Sequence, residues 1–301
     1  MGYLVLTSFH NSTPFWLAFL IGIMCAERAI SCPPNCTCQN VEVNCEGNNL
    51  RTFPNEIPLL TRRLVLANNS IVYITHLELS YLNELVYLDF SHNRLLMGTN
   101  FTFPLLPELT SLDLSYNHIS QITGETFSKL EHLLLLNLSG NRYLHKLDDN
   151  TFRHNPLLRY LDISGCNFSY ISREVFKRLK NFHSLDISAN PFDCNCHVLE
   201  FMEWMKNKMD DKELVFPHIE ETTCKKPLIF YDMETLSILK RLIVTCRKSI
   251  RSRNILVASG LGIFSFACGI LTASMVGMAT VVYHYPLLKI DDDSDDDMFW
   301  D

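Results

Sequence analysis

Residues 109–117 read LTSLDLSYN: an apolar residue, two free places, Leu, one free place, another apolar residue, two free places, then Asn. The same nine-residue frame recurs as TRRLVLANN from Thr61, LVYLDFSHN from Leu85, LLLLNLSGN from Leu133, LRYLDISGC from Leu158 and FHSLDISAN from Phe182. The ninth places are Asn69, Asn93, Asn117, Asn141, Cys166 and Asn190, spaced by 24, 24, 24, 25 and 24 residues. Six copies in nearly constant register predict a solenoid, because one unit cannot bury its apolar edge without a neighbour.

The spacing is that of leucine-rich repeats, and the expected class is an α/β solenoid with a short parallel sheet on its concave face. In LTSLDLSYN, Leu112 and Leu114 alternate with Ser111, Asp113 and Ser115, the period of a strand with one buried side. The fourth and sixth places should point into the core; the third, fifth and seventh should line the concave face. At the ninth place the chain turns inward, where an Asn side chain can satisfy both stranded donors and stranded acceptors. Cys166 at that place reads as a buried structural thiol. Phe127 with Leu130, Phe176 with Leu179, and Leu79 with Leu82 share offsets that suggest the convex core. Asp89, Asp113, Asp162 and Asp186 occupy the fifth place, with Val65 and Asn137 in the other two frames. They form either a solvated column or an acidic strip for a basic partner.

The chain carries 11 cysteines. Four precede the repeats (Cys32, Cys36, Cys38 and Cys45) and four follow them (Cys194, Cys196, Cys224 and Cys246). Taken alone, the first group could hold zinc. The secretory context below favours two disulfides in each group, forming caps over the solenoid ends. The prolines Pro33, Pro34, Pro54 and Pro58 argue for irregular chain in the first cap. In the second, HVLEFMEWMKNKM from His197 has the spacing of a short helix.

An apolar run from Phe15 to Cys25 is too short to span a bilayer and reads as a signal peptide cleaved between Ala26 and Ala29, with an uncleaved anchor as the alternative because no Lys or Arg precedes it. From Ile255 to Tyr283 there are 29 residues without a charge, enough to cross the membrane. Within this span Ser265, Gly269, Ala273 and Gly277 recur every fourth residue, a small-residue face against which another helix can pack. Arg247, Lys248, Arg251 and Arg253 precede it; Lys289 and then Asp291, Asp292, Asp293, Asp295, Asp296 and Asp297 follow. The basic flank opposes a cytoplasmic C-terminus, but the cysteine-rich caps place the repeats outside the cell, and they decide the orientation. The expected organisation is a signal peptide 1–29, an N-terminal cap 30–60, repeats 61–192, a C-terminal cap 193–247, a basic linker 248–254, a transmembrane helix 255–283 and a cytoplasmic tail 284–301. The protein would be a single-pass type I component of the plasma membrane.

Asn35, Asn68, Asn100, Asn137 and Asn167 begin N-x-S/T sequons. Asn100 is the one most expected to carry a glycan, whereas a glycan on Asn137 would obstruct the concave face. A net charge of −7 gives no support for a nucleic-acid partner. No nucleophile–base set, metal-ligand spacing or phosphate loop stands out, which points away from an enzyme and from any cofactor. Membrane lipid and a protein partner remain.

The ensemble resembles the auxiliary gamma subunits of large-conductance potassium channels. The resemblance rests on CPPNCTC from Cys32, RRLVLANN from Arg62, NPFDCNC from Asn190, GIFSFACG from Gly262 and the short acidic tail. It implies a non-enzymatic subunit that binds a pore-forming alpha subunit and shifts channel opening toward more negative potentials, acting through the transmembrane helix and its flanking charges. The pH-sensitive channel of sperm is one implied partner. It further implies the pairs Cys32–Cys38, Cys36–Cys45, Cys194–Cys224 and Cys196–Cys246. This chain departs from the strongest modulators, which carry a basic cluster just inside the membrane where Lys289 and the aspartates stand here. The competing reading is an adhesion protein or co-receptor that binds through its concave face.

Overall fold

In the computed structural model residues 32–284 are described; the expected signal peptide and the acidic stretch from Lys289 lie outside them. The described chain forms two compact units that divide between Ile243 and Val244.

Each frame supplies one three-residue strand from its third to fifth places. These are β3 (Arg63–Val65), β4 (Tyr87–Asp89), β5 (Ser111–Asp113), β6 (Leu135–Asn137), β7 (Tyr160–Asp162) and β8 (Ser184–Asp186). They pair in parallel and in constant register, so that Leu64, Leu88, Leu112, Leu136, Leu161 and Leu185 form one internal column. Each of these leucines is at most 3% exposed, and full burial of such a side chain stabilises by about 1.5–3 kcal/mol.

The ninth-place ladder forms as its chemistry requires. Asn117 accepts from Leu95 N at 2.8 Å and donates to Phe90 O at 2.9 Å and Leu114 O at 3.1 Å. Asn93, Asn141 and Asn190 repeat this pattern, each joining its own turn to the preceding one. The eighth place is left-handed in every repeat: Asn68, His92, Tyr116, Gly140, Gly165 and Ala189 have φ between 53° and 68°. At Gly140 the glycine is needed for space as well, since a Cβ there would lie 2.6 Å from Tyr116 Cδ1.

Behind the sheet, Leu79, Leu82, Phe127, Leu130, Phe176 and Leu179 are all buried. The column is more complete than the expected pairs: Phe103 and Phe152 stack on either side of Phe127 at 5.8 and 6.4 Å. Asn155 takes the place of a leucine there, and donates to Phe127 O and Leu130 O, both at 2.9 Å.

Both outer repeat strands, β3 and β8, gain a neighbour from the caps. The first cap is less irregular than its prolines suggest. An antiparallel hairpin of β1 (Thr37–Gln39) and β2 (Glu42–Asn44) pairs in parallel with β3. It is tied by disulfides Cys32–Cys38 and Cys36–Cys45. At the other end Val215 bridges to Ser184, exchanging bonds with His183 O and Leu185 N. β9 (Phe192–Asp193) and β10 (Cys224–Lys226) pair nearby, joined by Cys194–Cys224. Cys196 and Cys246 are each disulfide-bonded. Apart from the one-turn helix α1 (His76–Leu79), the main helix of the first unit is α2 (Leu199–Asp210). It buries Phe201, Met202 and Met205 and stacks Trp204 on Phe176 at 5.3 Å.

A single helix, α3, runs from Leu239 to His284. The basic stretch 248–254 is therefore helical and continuous with the apolar segment.

Candidate interaction surfaces

The constant register places Asp89, Asp113, Asn137, Asp162 and Asp186 in one concave column. Each has a structural task. Its Oδ1 accepts from the backbone N of the residue two places on, at 2.8–3.0 Å: Ser91, Ser115, Ser139, Ser164 and Ser188. This is an Asx turn that ends the strand, which explains why the place accepts Asp or Asn and not Glu. The column is thus first a set of strand caps. Burial is the main cause holding the Asp162 carboxyl above its ordinary value, with nearby Asp186 adding to it.

Beside the caps, Arg63 lies 3.7 Å above the Tyr87 ring, and Tyr87 OH donates to Asp89 Oδ2 at 3.2 Å. Burial and the Asp89 charge push the Tyr87 phenol up. Leu135 (39% exposed) and Tyr160 (44%) stand on the same face, Tyr160 meeting the His183 ring edge-on at 5.6 Å. At the last strand, His218 Nδ1 is 2.9 Å from Asp186 Oδ2, tying the C-terminal cap to the column. The hydrogen bond to Asp186, then its charge, raises the His218 pKa. This contact has no signal in the sequence, because its partners are 32 residues apart in different elements.

A cleft of 590 Å³ lies on the first unit between the last repeat and α2, floored by Phe176, Phe182 and Trp204. Of its rim lysines, Lys177 pairs with Glu174 and Lys208 with Glu213. Among the described residues no cluster of three or more His, Cys, Asp or Glu could hold a metal ion. Cys166 is buried and unbonded to another cysteine, and desolvation pushes its thiol up to about 12.

The sequons fall in different settings. Asn35, Asn68, Asn100 and Asn167 are exposed. Asn68 Nδ2 donates to Glu46 Oε1 at 2.8 Å. Asn137 is half-buried, its Nδ2 donating to Asp113 Oδ2 at 3.0 Å while Oδ1 caps Ser139.

In α3 the window Ser259–Val276, with mean hydropathy 1.7, is long and apolar enough to cross a membrane, and none of it is buried within the chain. Ser265, Gly269 and Ala273 are exposed, and a Cβ added at Gly269 would meet nothing within 4 Å. The side chain position of Gly277 lies outside the described residues. Thr272 Oγ1 and Ser274 Oγ donate to Gly269 O and Ile270 O, both at 2.9 Å, which satisfies their hydroxyls inside the helix.

Residues 107–168 and 141–192 match the family described as Leucine rich repeat, and residues 31–58 match the Leucine rich repeat N-terminal domain. Leucine-rich repeat-containing protein 52 of Mus musculus is 36% identical over 267 residues, 88% of this chain and 83% of that protein. The Homo sapiens protein of the same name is 44% identical over 82 residues, 27% of this chain and 26% of that one. The crystal structure of human trophoblast glycoprotein covers 68% of this chain and 95% of its own, at 19% identity and a TM-score of 0.43.

Proposed function

This chain belongs to the family of leucine-rich repeat-containing protein 52, and from that membership we propose that it is an auxiliary subunit of a large-conductance potassium channel. The carrying observation is similarity to that protein across 88% of the chain, joined to the resemblance to channel gamma subunits set out above. Leucine-rich repeats are a binding fold, and the apolar window of α3 fits a single-pass membrane protein.

In this reading the repeats face the cell exterior at the plasma membrane, and the helix packs against the pore-forming subunit through Ser265, Gly269, Ala273 and Gly277. Small residues let two backbones approach closely, and in lipid that packing supplies the association energy. A helix bound more tightly to the open than to the closed channel shifts gating by that difference in affinity, and by no more. In this reading the flanking Arg247, Lys248, Arg251 and Arg253 and the tail aspartates add an electrostatic term near the membrane surfaces. The expected direction is opening at more negative potentials.

The exposed Leu135 and Tyr160 favour a second reading, a cell-surface binder acting through the concave face. Exchanging residues 255–301 for an unrelated single-pass helix and tail separates the two. The channel subunit loses its effect on gating while still reaching the surface; a concave-face binder keeps its activity. Full retention of gating by the exchanged protein would rule out the helix as the effector.

A further inference from the structure

The two columns that flank the Asn ladder differ sharply in chemistry from the concave face. In the second to fourth repeats, the eighth places are His92, Tyr116 and Gly140, and the tenth places are Arg94, His118 and Arg142. The additional residue of the 25-residue spacing adds Tyr143 beside them. No carboxylate occupies any of these places, although the chain as a whole has a net charge of −7. All these side chains except glycine are exposed, Tyr116 by 54% and Tyr143 by 61%.

The aromatic groups are held in place. The left-handed eighth place sets His92 and Tyr116 parallel, with ring centroids 4.4 Å apart and planes 7° from coincidence. Tyr116 lies across Gly140, which leaves its ring nowhere to turn on that side. His118 meets Tyr143 edge-on at 5.8 Å. The arginines are uncommitted. Among the described residues neither Arg94 nor Arg142 is in an ion pair, whereas Arg63, Arg153 and Arg173 each are. Strands in a sheet repeat every ~4.8 Å, so the two arginines, two repeats apart in the tenth-place column, lie roughly 10 Å apart along the solenoid.

We propose that this flank, centred on Arg94, Tyr116 and Arg142, is a docking surface for an acidic, aromatic-bearing protein segment. Charge complementarity selects the sign of the partner. The composition selects its class: Tyr and Arg are enriched and Lys, Asp and Glu depleted where proteins meet. Rings already fixed in the free chain lose little freedom on binding.

The test uses the full-length chain in lipid nanodiscs and a labelled alternating glutamate–tyrosine peptide, followed by fluorescence anisotropy. Binding should be saturable, weaken as salt is raised, and fall by about tenfold or more in Arg94→Glu/Arg142→Glu. Tyr116→Ala should also weaken it, and Arg178→Glu, an exposed arginine elsewhere, should not. Two results would overturn the proposal. One is equal affinity of the doubly reversed variant, or of a lysine–tyrosine control peptide for the original chain. The other is tighter binding of a heparin oligosaccharide than of the peptide through the same arginines, which would assign the flank to a sulfated glycan.

Discussion

The Cys166 thiol donates to Leu138 O at 3.3 Å, in the one ladder place that holds no carboxamide. The donor that a carboxamide oxygen would receive there is already used: Leu144 N bonds to Asn141 O at 2.9 Å. The extra residue between Asn141 and Leu144 makes that local turn, so the 25-residue spacing and the missing Asn are one feature. Replacing Cys166 by Ala should therefore cost less than about 1 kcal/mol, since one weak sulfur bond is lost. Asn117→Ala strands Leu95 N and Phe90 O in the core and should cost about 3 kcal/mol. Chemical denaturation of the detergent-solubilised chain compares the two; equal losses would contradict this account of the ladder.

The same thiol should be inert. It is buried and pushed up to about 12, so almost none is thiolate near neutrality. Maleimide labelling of Cys166, read by peptide mapping, should be absent in the native chain at neutral pH and complete after denaturation. Rapid native labelling would show an accessible, lower-pKa thiol.

Gly140 and Gly165 share a left-handed backbone, with φ of 68° and 60°, yet only Gly140 lies under a ring. Each Ala substitution should cost roughly 1 kcal/mol for conformation. Gly140→Ala should cost more because it displaces Tyr116, and Tyr116→Ala in that background should recover the difference. A double-mutant cycle by thermal melting measures this coupling.

His218 makes stability depend on pH. Its pKa is raised on folding by the hydrogen bond to Asp186 and by that carboxylate's charge. A raised folded value means the contribution is complete below the unfolded histidine pKa and disappears as pH rises through the folded one. The melting temperature of the parent should exceed that of His218→Gln in mildly acidic buffer, with the gap closing in mildly alkaline buffer. A gap that widens with pH would contradict the pairing.

Glycan occupancy should follow side-chain freedom. Asn100 and Asn167 are exposed, while Asn137 Nδ2 is held by Asp113. Removing the first two sequons with Gln should each increase gel mobility in secretory cells, and Asn137→Gln should not.

The strands were legible in the sequence because one frame fixes both period and register: Leu88, Leu112 and Leu136 need only stack to bury one another. The convex column was half legible. Phe103 with Leu106 repeats the offsets of Phe127 with Leu130, whereas at Phe152 the pattern is broken by Asn155 in place of a leucine. The aspartate column was visible as a pattern and its task was not, since an Asx cap is a backbone contact two residues away. The His218–Asp186 contact and the Val215 edge cover depend on how the cap folds back, which no local spacing encodes. For the helix, composition gave the apolar span, while its continuity from Leu239 comes from the fold.

The central claim is that this chain alters channel gating, and conductance–voltage recording tests it most directly. The full-length chain is co-expressed with a pore-forming large-conductance potassium channel, including the pH-sensitive channel of sperm, with surface delivery checked by labelling the repeats on intact cells. The account predicts half-activation at more negative voltage than for the channel alone, with Gly269→Phe or Gly277→Phe reducing both the shift and co-purification. Unchanged conductance–voltage curves for every such channel, with both proteins at the surface, would contradict it.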